Sequence, residues 1–242
     1  MKITSLNLAG YKNWAAREPA IVNYLNKAQA DVVFLQEVMF DPRISPLSEA
    51  QHINSKLETP YQYTQSTISR SYISSDGVES REGLAILSRH PITESEVLVL
   101  HKQDDDKHTR IVQNVHVLVH GQMQKFTNVH FSNNAYAREQ LEELLRIHES
   151  RGEKRIIIGD FNIADLEAVR HLYEDSYTTS MVMGEYVSFP SEAARFDYIL
   201  LPKEYTLVSL DVAEGLSDHN ALTAEIYSRA AQPAPATNDN RQ

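Results

Sequence analysis

The 242-residue chain carries 23 Lys and Arg against 33 Asp and Glu, a formal net charge of −10, with 42% hydrophobic residues and no Cys. That length suits one large core, and the acidic balance disfavours wide nonspecific wrapping of DNA or RNA. The lack of Cys excludes disulfides, thiolate metal ligands and a cysteine nucleophile.

Residues 2–8 read as a short strand followed by a loop through residues 10–13. Ala16, Ala20, Ile21, Leu25 and Ala28 then fall near one face at helical spacing, and that helix stops before Asp31. Val32-Val33-Phe34-Leu35 is a continuous apolar run, the pattern of a strand sheltered on both faces, and Gln36-Glu37 emerge at its end. Residues 39–82 are broken by Pro42, Pro46 and Pro60; a short helix over 47–57 and a Ser/Tyr-rich stretch of strand and loop over 61–80 are predicted there.

Strands follow over 84–87 and 94–100. Residues 110–120 alternate, with Ile111, Val115, Val117 and Val119 on one side and Asn114, His116 and His120 on the other, which predicts one exposed sheet face. Residues 124–130 supply an antiparallel neighbour, and Ala137, Leu141, Leu144, Leu145 and His148 give a helix over 136–148 that Gly152 closes. A strand over 155–158, a shorter helix over 165–172 and strands over 196–201, 207–213 and 221–227 complete the pattern. Strand-rich halves with helices between some strands predict an α+β domain over residues 1–228, two packed sheets with helices outside. Residues 229–242, rich in Ala, Pro and Asn, are expected to be a tail that adds little to the core. No run of about 18 apolar residues appears and the first residues lack a signal-peptide core, so a cytoplasmic protein without stable membrane insertion is expected.

Polar clusters sit at the ends of the apolar strands: Asn7, Glu37, Gly159-Asp160-Phe161-Asn162 and Ser217-Asp218-His219. Each is also ordinary turn or strand-end punctuation, so it is their convergence in one crevice that would carry chemistry. Oxygen ligands from Glu and Asn suit Mg2+ or Mn2+, while a carboxylate near the substrate orients and deprotonates water. His219 or His130 could donate to oxygens that gain charge in the transition state, with Asp197 placed to hold a His ring.

Seven stretches, in order, resemble the endonuclease/exonuclease/phosphatase superfamily of DNase I-like phosphoesterases. They are Ser5-Leu6-Asn7-Leu8-Ala9-Gly10, Asp31-Val32-Val33-Phe34-Leu35-Gln36-Glu37, Gly83-Leu84-Ala85-Ile86-Leu87-Ser88-Arg89, Thr127-Asn128-Val129-His130-Phe131, Ile158-Gly159-Asp160-Phe161-Asn162, Arg195-Phe196-Asp197-Tyr198-Ile199 and Leu216-Ser217-Asp218-His219. The resemblance implies a four-layer α/β/β/α sandwich of two mainly antiparallel sheets, with the site at one edge. It implies Glu37 as the main ligand of a divalent metal, Mg2+ or Mn2+, with Asn7 and Asp218 beside it. Asp160 would activate water, Asn162 would fix it, His130 would contact phosphate, and His219 oriented by Asp197 would stabilise the transition state. Arg110 would approach a substrate phosphate or serve only as a sheet-surface cation, and Tyr11 and Trp14 would line a substrate cleft or form a hydrophobic lid over the first helix.

Leu6 stands where many abasic-site endonucleases carry Trp, and His130 where they often carry Tyr; with the acidic charge, this argues against a DNA-repair enzyme. The leading expectation is a metal-dependent phosphodiesterase acting on a small molecule or a nucleic-acid end. A DNA or RNA nuclease and a catalytically silent binding module on the same fold are the alternatives.

Overall fold

Apolar runs too continuous for a half-exposed strand become strands buried on both faces. In the computed structural model, which describes residues 1–106, 109–133 and 135–228, β1 (Lys2–Asn7) and β2 (Val32–Phe40) run parallel, joined across α1 (Trp14–Ala28). The tail expected over 229–242 lies outside the described residues. After α2 (Glu49–Lys56) come β3 (Tyr63–Ile73), β4 (Glu79–Ser88), β5 (Ile92–Val99), β6 (Ile111–Val119) and β7 (Gln122–His130). α3 (Tyr136–Ser150) then carries the chain to β8 (Ile156–Asp160), parallel to β7. β9 (Tyr177–Thr179), β10 (Asp197–Pro202), β11 (Tyr205–Ala213) and β12 (Ala221–Ser228) follow.

The strands make two six-stranded sheets, ordered β11-β12-β1-β2-β4-β3 and β5-β6-β7-β8-β10-β9. Each sheet holds one central parallel pair connected by a helix, and its other pairings are antiparallel. Period-two alternation divides the side chains among three cores. Val32, Phe34, Val115, Phe126, Ile156 and Ile158 pack between the sheets. Val33 and Leu35 pack with Ile21, Leu25 and Ile53 beneath α1 and α2, and Ile157 packs with Leu141 and Leu144 beneath α3. The four-layer α+β sandwich expected from the sequence is the fold observed. Among the described residues, no helix is long and apolar enough to cross a membrane.

One local expectation holds and two change. The stretch over 61–80 is strand and loop as expected: its alternating polar pattern forms the edge strand β3, and Gly83 in β4 lets the Thr67 carbonyl approach where a Cβ would lie 1.8 Å away. The helix over 165–172 is a short 3-10 segment, Glu167–Leu172, broken at Val169 with φ −113°. The face of β6 expected to be exposed is largely covered: Asn114 is buried, donating to Glu96 and accepting from Thr127, and Arg155 reaches His116. Paired polar groups let a face that reads as solvated lie under neighbouring side chains.

Gly159 sets the spacing of β7 and β8. Its φ is +139°, and a Cβ there would lie 2.2 Å from the Val129 carbonyl oxygen. Gly159→Ala is therefore expected to destabilise the fold by more than about 2 kcal/mol, read as a lower urea midpoint; an unchanged midpoint would contradict this packing.

Candidate active site

The parallel pairs finish in step, with Asn7 opposite Gln36 in one sheet and His130 opposite Asp160 in the other. The antiparallel neighbours begin where these end: Asp197 opens β10 opposite Asp160, and Asp218 and His219 lie just before β12, separated from it by Asn220. Strand direction alone thus brings Asn7, Glu37, His130, Asp160, Asp197, Asp218 and His219 to one end of the sandwich.

Local backbone then aims the side chains. β2 bulges between Leu35 and Val38, and Glu37 sits at φ +49°, its carbonyl accepting from the Gly10 N–H at 3.2 Å. The Met39 N–H on the far side of the bulge donates to Glu49 Oε2 at 2.7 Å. Asn162 adopts φ +50°, so that its N–H reaches Asp160 Oδ1 at 2.9 Å while its side-chain amide donates to the Phe131 carbonyl at 2.9 Å. Asn and Asp tolerate this region better than most residues.

Asp160 is the centre of the cluster and is fully buried. Asn7 Nδ2 donates to Asp160 Oδ2 at 3.0 Å and to Glu37 Oε1 at 3.3 Å. His130 Nε2 stands 3.5 Å from Asp160 Oδ2 and 3.7 Å from Glu37 Oε1. His219 Nε2 approaches the same Asp160 oxygen at 3.7 Å, and its Nδ1 donates to Asp197 Oδ2 at 2.8 Å. Ser188 Oγ accepts the N–H groups of Phe196 and Asp197, each at 2.9 Å, and the Phe189 ring lies 4.7 Å from that of His219.

Burial, then the Asp197 carboxylate, pushes Asp160 above the usual carboxylate range. Glu37 is raised by burial and by the nearby Glu82 and Asp218 carboxylates, and Glu49 is pushed up to about 8, mainly by burial. For His219 burial acts downward, but Asp197, Asp160 and Asp218 together raise it to about 9. An imidazolium held against buried carboxylates results.

Arg110 is buried beside the cluster and feels the charges of Asp160, Glu82 and Glu37. Asp218 stands apart from Asp160's hydrogen bonds, 3.3 Å from the exposed Lys12 ammonium. Tyr11 donates to the Leu47 carbonyl and packs edge-on against Trp14, which rests on the core beneath α1 beside His52. Neither ring has a described hydrogen bond to the cluster's carboxylates or imidazoles.

Sequence reasoning gives no role to several supports. Gln36 Nε2 donates to Asn128 Oδ1 at 2.8 Å, and Asn128 in turn donates to the Leu35 and Ala85 carbonyls, a buried polar tie between the sheets under the site. Both residues lie inside the motifs that carry Glu37 and His130, which was the available signal. Gln140 differs from these: its place soon after His130 already suggests a helix position that braces the site, and it holds the Ser132 N–H and hydroxyl. Ser188, Glu49 and the Arg70–Glu82 pair carry no local sequence signal.

A family-wide sequence pattern, described as the Endonuclease/Exonuclease/phosphatase family, matches residues 4–219 of the chain. The chain belongs to this family. An endonuclease/exonuclease/phosphatase family protein from Leptotrichia buccalis superposes with a TM-score of 0.75 at 20% identity, covering 94% of this chain and 99% of that one. The human Nocturnin catalytic domain with bound sulfate anion gives 0.70 at 19% identity, covering 94% of each chain. D. rerio TDP2 complexed with a single-strand DNA product gives 0.68 at 20% identity, covering 94% and 99%. At these identities the likeness shows a shared fold. No curated protein matches the chain.

The His219–Asp197 pair generates a measurable titration. In metal-free protein, 15N-histidine NMR is expected to show His219 titrating near 9, and Asp197→Asn should lower that midpoint by more than about one unit. Because the folded value lies above the unfolded 6.5, the associated stability is complete below pH 6.5 and is lost as pH rises through about 9. A native midpoint near 6.5 would contradict the pairing.

Proposed function

We propose that the protein hydrolyses a phosphodiester by direct attack of water, with Mg2+, or Mn2+ in its place, held by Glu37, Asn7 and Asp218. The observation that carries this reading is the meeting of Asp160, Asn7, His130 and a protonated His219 beside the half-exposed Glu37 carboxylate. The donor set suits a hard cation. Glu37 and Asp218 offer oxygen at the mouth, and the upward shift of Glu37 beside Glu82 and Asp218 marks a concentration of negative charge that a cation would relieve. Asp160, Asp197 and His219 also place ligand atoms within 4.8 Å of one another, but Asp197 and His219 are already committed to each other at 2.8 Å.

When bound, Mg2+ would supply positive charge to the phosphoryl oxygens and the leaving oxygen. Asp160 accepts the proton of the attacking water; its two oxygens are fixed by the Asn162 N–H and the Asn7 amide, so the carboxylate needs no reorientation. His219, kept protonated by Asp197, donates to a phosphoryl oxygen as charge builds there, with His130 beside it. Arg110 adds a buried guanidinium whose Nε has no hydrogen-bond partner among the described residues, suited to a substrate oxygen. No covalent intermediate with the protein is required. The substrate class is a small nucleotide, a lipid headgroup or a nucleic-acid end, since a net charge of −10 opposes a long polyanion.

Hydrolysis of bis-p-nitrophenyl phosphate is expected to require Mg2+ or Mn2+, to stop with EDTA, and to fall about 10²- to 10⁴-fold in Asp160→Asn. Undiminished metal-dependent turnover in that variant would overturn the mechanism. A lack of turnover across phosphodiesters and phosphomonoesters would overturn the activity.

A further inference from the structure

A second group of metal-ligating side chains lies at the other end of the sandwich. Asp31 immediately precedes β2, six residues before Glu37, which is about 20 Å along a strand. His90 follows the end of β4, and His120 is in the turn between β6 and β7, about 30 Å of strand from His130. Asp31, His90 and His120 each offer a ligand atom, and these lie within 4.8 Å of one another.

The group is held by its surroundings. Asp31 Oδ2 accepts the Lys2 N–H at 2.7 Å, which orients Oδ1 toward His90 Nε2 at 3.0 Å. Ser88 fixes the His90 backbone, its Oγ accepting the His90 N–H at 3.0 Å and donating to the His90 carbonyl at 2.7 Å. His120 and Gly121 have φ of +48° and +79°, the two-residue turn that matches strand twist in a tight hairpin. The Leu118 N–H bonds to the Pro91 carbonyl at 2.9 Å and locks this hairpin to the turn that carries His90. The two imidazoles stand edge to face, with centroids 5.0 Å apart.

We propose that Asp31, His90 and His120 form a second metal site, for a borderline divalent cation of the Zn2+ type, that cross-links the two sheets at the end away from the active site. Two imidazoles and one carboxylate favour such a cation over Mg2+, which prefers oxygen throughout. Tetrahedral Zn2+ places its ligand atoms about 3.3 to 3.5 Å apart. The Asp31–His90 contact is already near that spacing, and the exposed His120 side chain has the freedom to close the remainder. Water would complete the coordination. Asp31 and His90 flank strands of one sheet and His120 joins strands of the other, so the cation would tie together elements from both.

The test is calorimetric titration of ZnCl2 into tag-free, EDTA-stripped protein in saturating Mg2+, using the native chain and His120→Ala, His90→Ala and His219→Ala. The native chain and His219→Ala are expected to share one Zn2+ site, and His120→Ala should weaken it more than about tenfold. Loss of a supporting residue alone has that effect at metal sites, and loss of a ligand does at least as much. Zn2+ should also raise the thermal midpoint of the native chain and leave that of His120→Ala unmoved. His120 is exposed in a turn, so its variant keeps the fold even if His90→Ala does not. Equal Zn2+ affinity in the native chain and His120→Ala, binding lost only with His219→Ala, or no binding by the native chain would each overturn the proposal.

Discussion

The hydrogen bond from Asn7 to Asp160 crosses between the sheets at the level where both parallel strand pairs end, and the site is organised around it. It forms only if the sheets are close and in register there. Gly159 permits the close approach of β7 and β8, and the buried Gln36–Asn128 bond ties the layers below. Glu37 from β2 and His130 from β7 then reach the same carboxylate cluster from opposite sheets. In this fold the two helix-linked parallel pairs therefore act as positioning devices as much as core elements.

Such an arrangement is electrostatically expensive. Asp160, Asp197 and Glu49 are buried acids, and Glu37 stands close enough to Glu82 and Asp218 to be raised by them. Replacing buried charge with apolar side chains commonly stabilises a fold, so carboxylates kept in this geometry point to chemistry. His219 offsets part of the repulsion and acquires a cationic state in return. The Asp31–His90–His120 group contrasts with this: it is accessible, nitrogen-rich and built on hairpin and strand ends whose geometry is independent of the cluster around Asp160.

The central strands are legible in the sequence because burial on both faces leaves only apolar choices, as in Val32 to Leu35 and Ile156 to Ile158. The cluster residues are legible because they follow those runs directly, where a strand must end and a side chain can face a crevice. Edge structure is harder to read. β3 alternates polar side chains such as Gln65, Ser69 and Arg70 with little apolar signal, and its pairing depends on the distant requirement that nothing larger than Gly83 stand opposite Ile68, against the Thr67 carbonyl. The polar face of β6 misleads for a related reason, since Asn114 is satisfied by Glu96 and Thr127, partners that periodicity does not reveal. Glu49 and Ser188 support the site only through backbone N–H groups brought near by tertiary structure, which leaves no local pattern to find.

The central claim is that this end of the sandwich holds a divalent cation against Glu37 beside a water-activating Asp160. Anomalous diffraction from crystals soaked in Mn2+ tests it most directly. The account predicts a peak in contact with the Glu37 carboxylate, within reach of Asn7 and Asp218, that disappears in Glu37→Gln. An anomalous map with no peak at Glu37, in crystals whose Mn2+ is ordered elsewhere or nowhere, would contradict it.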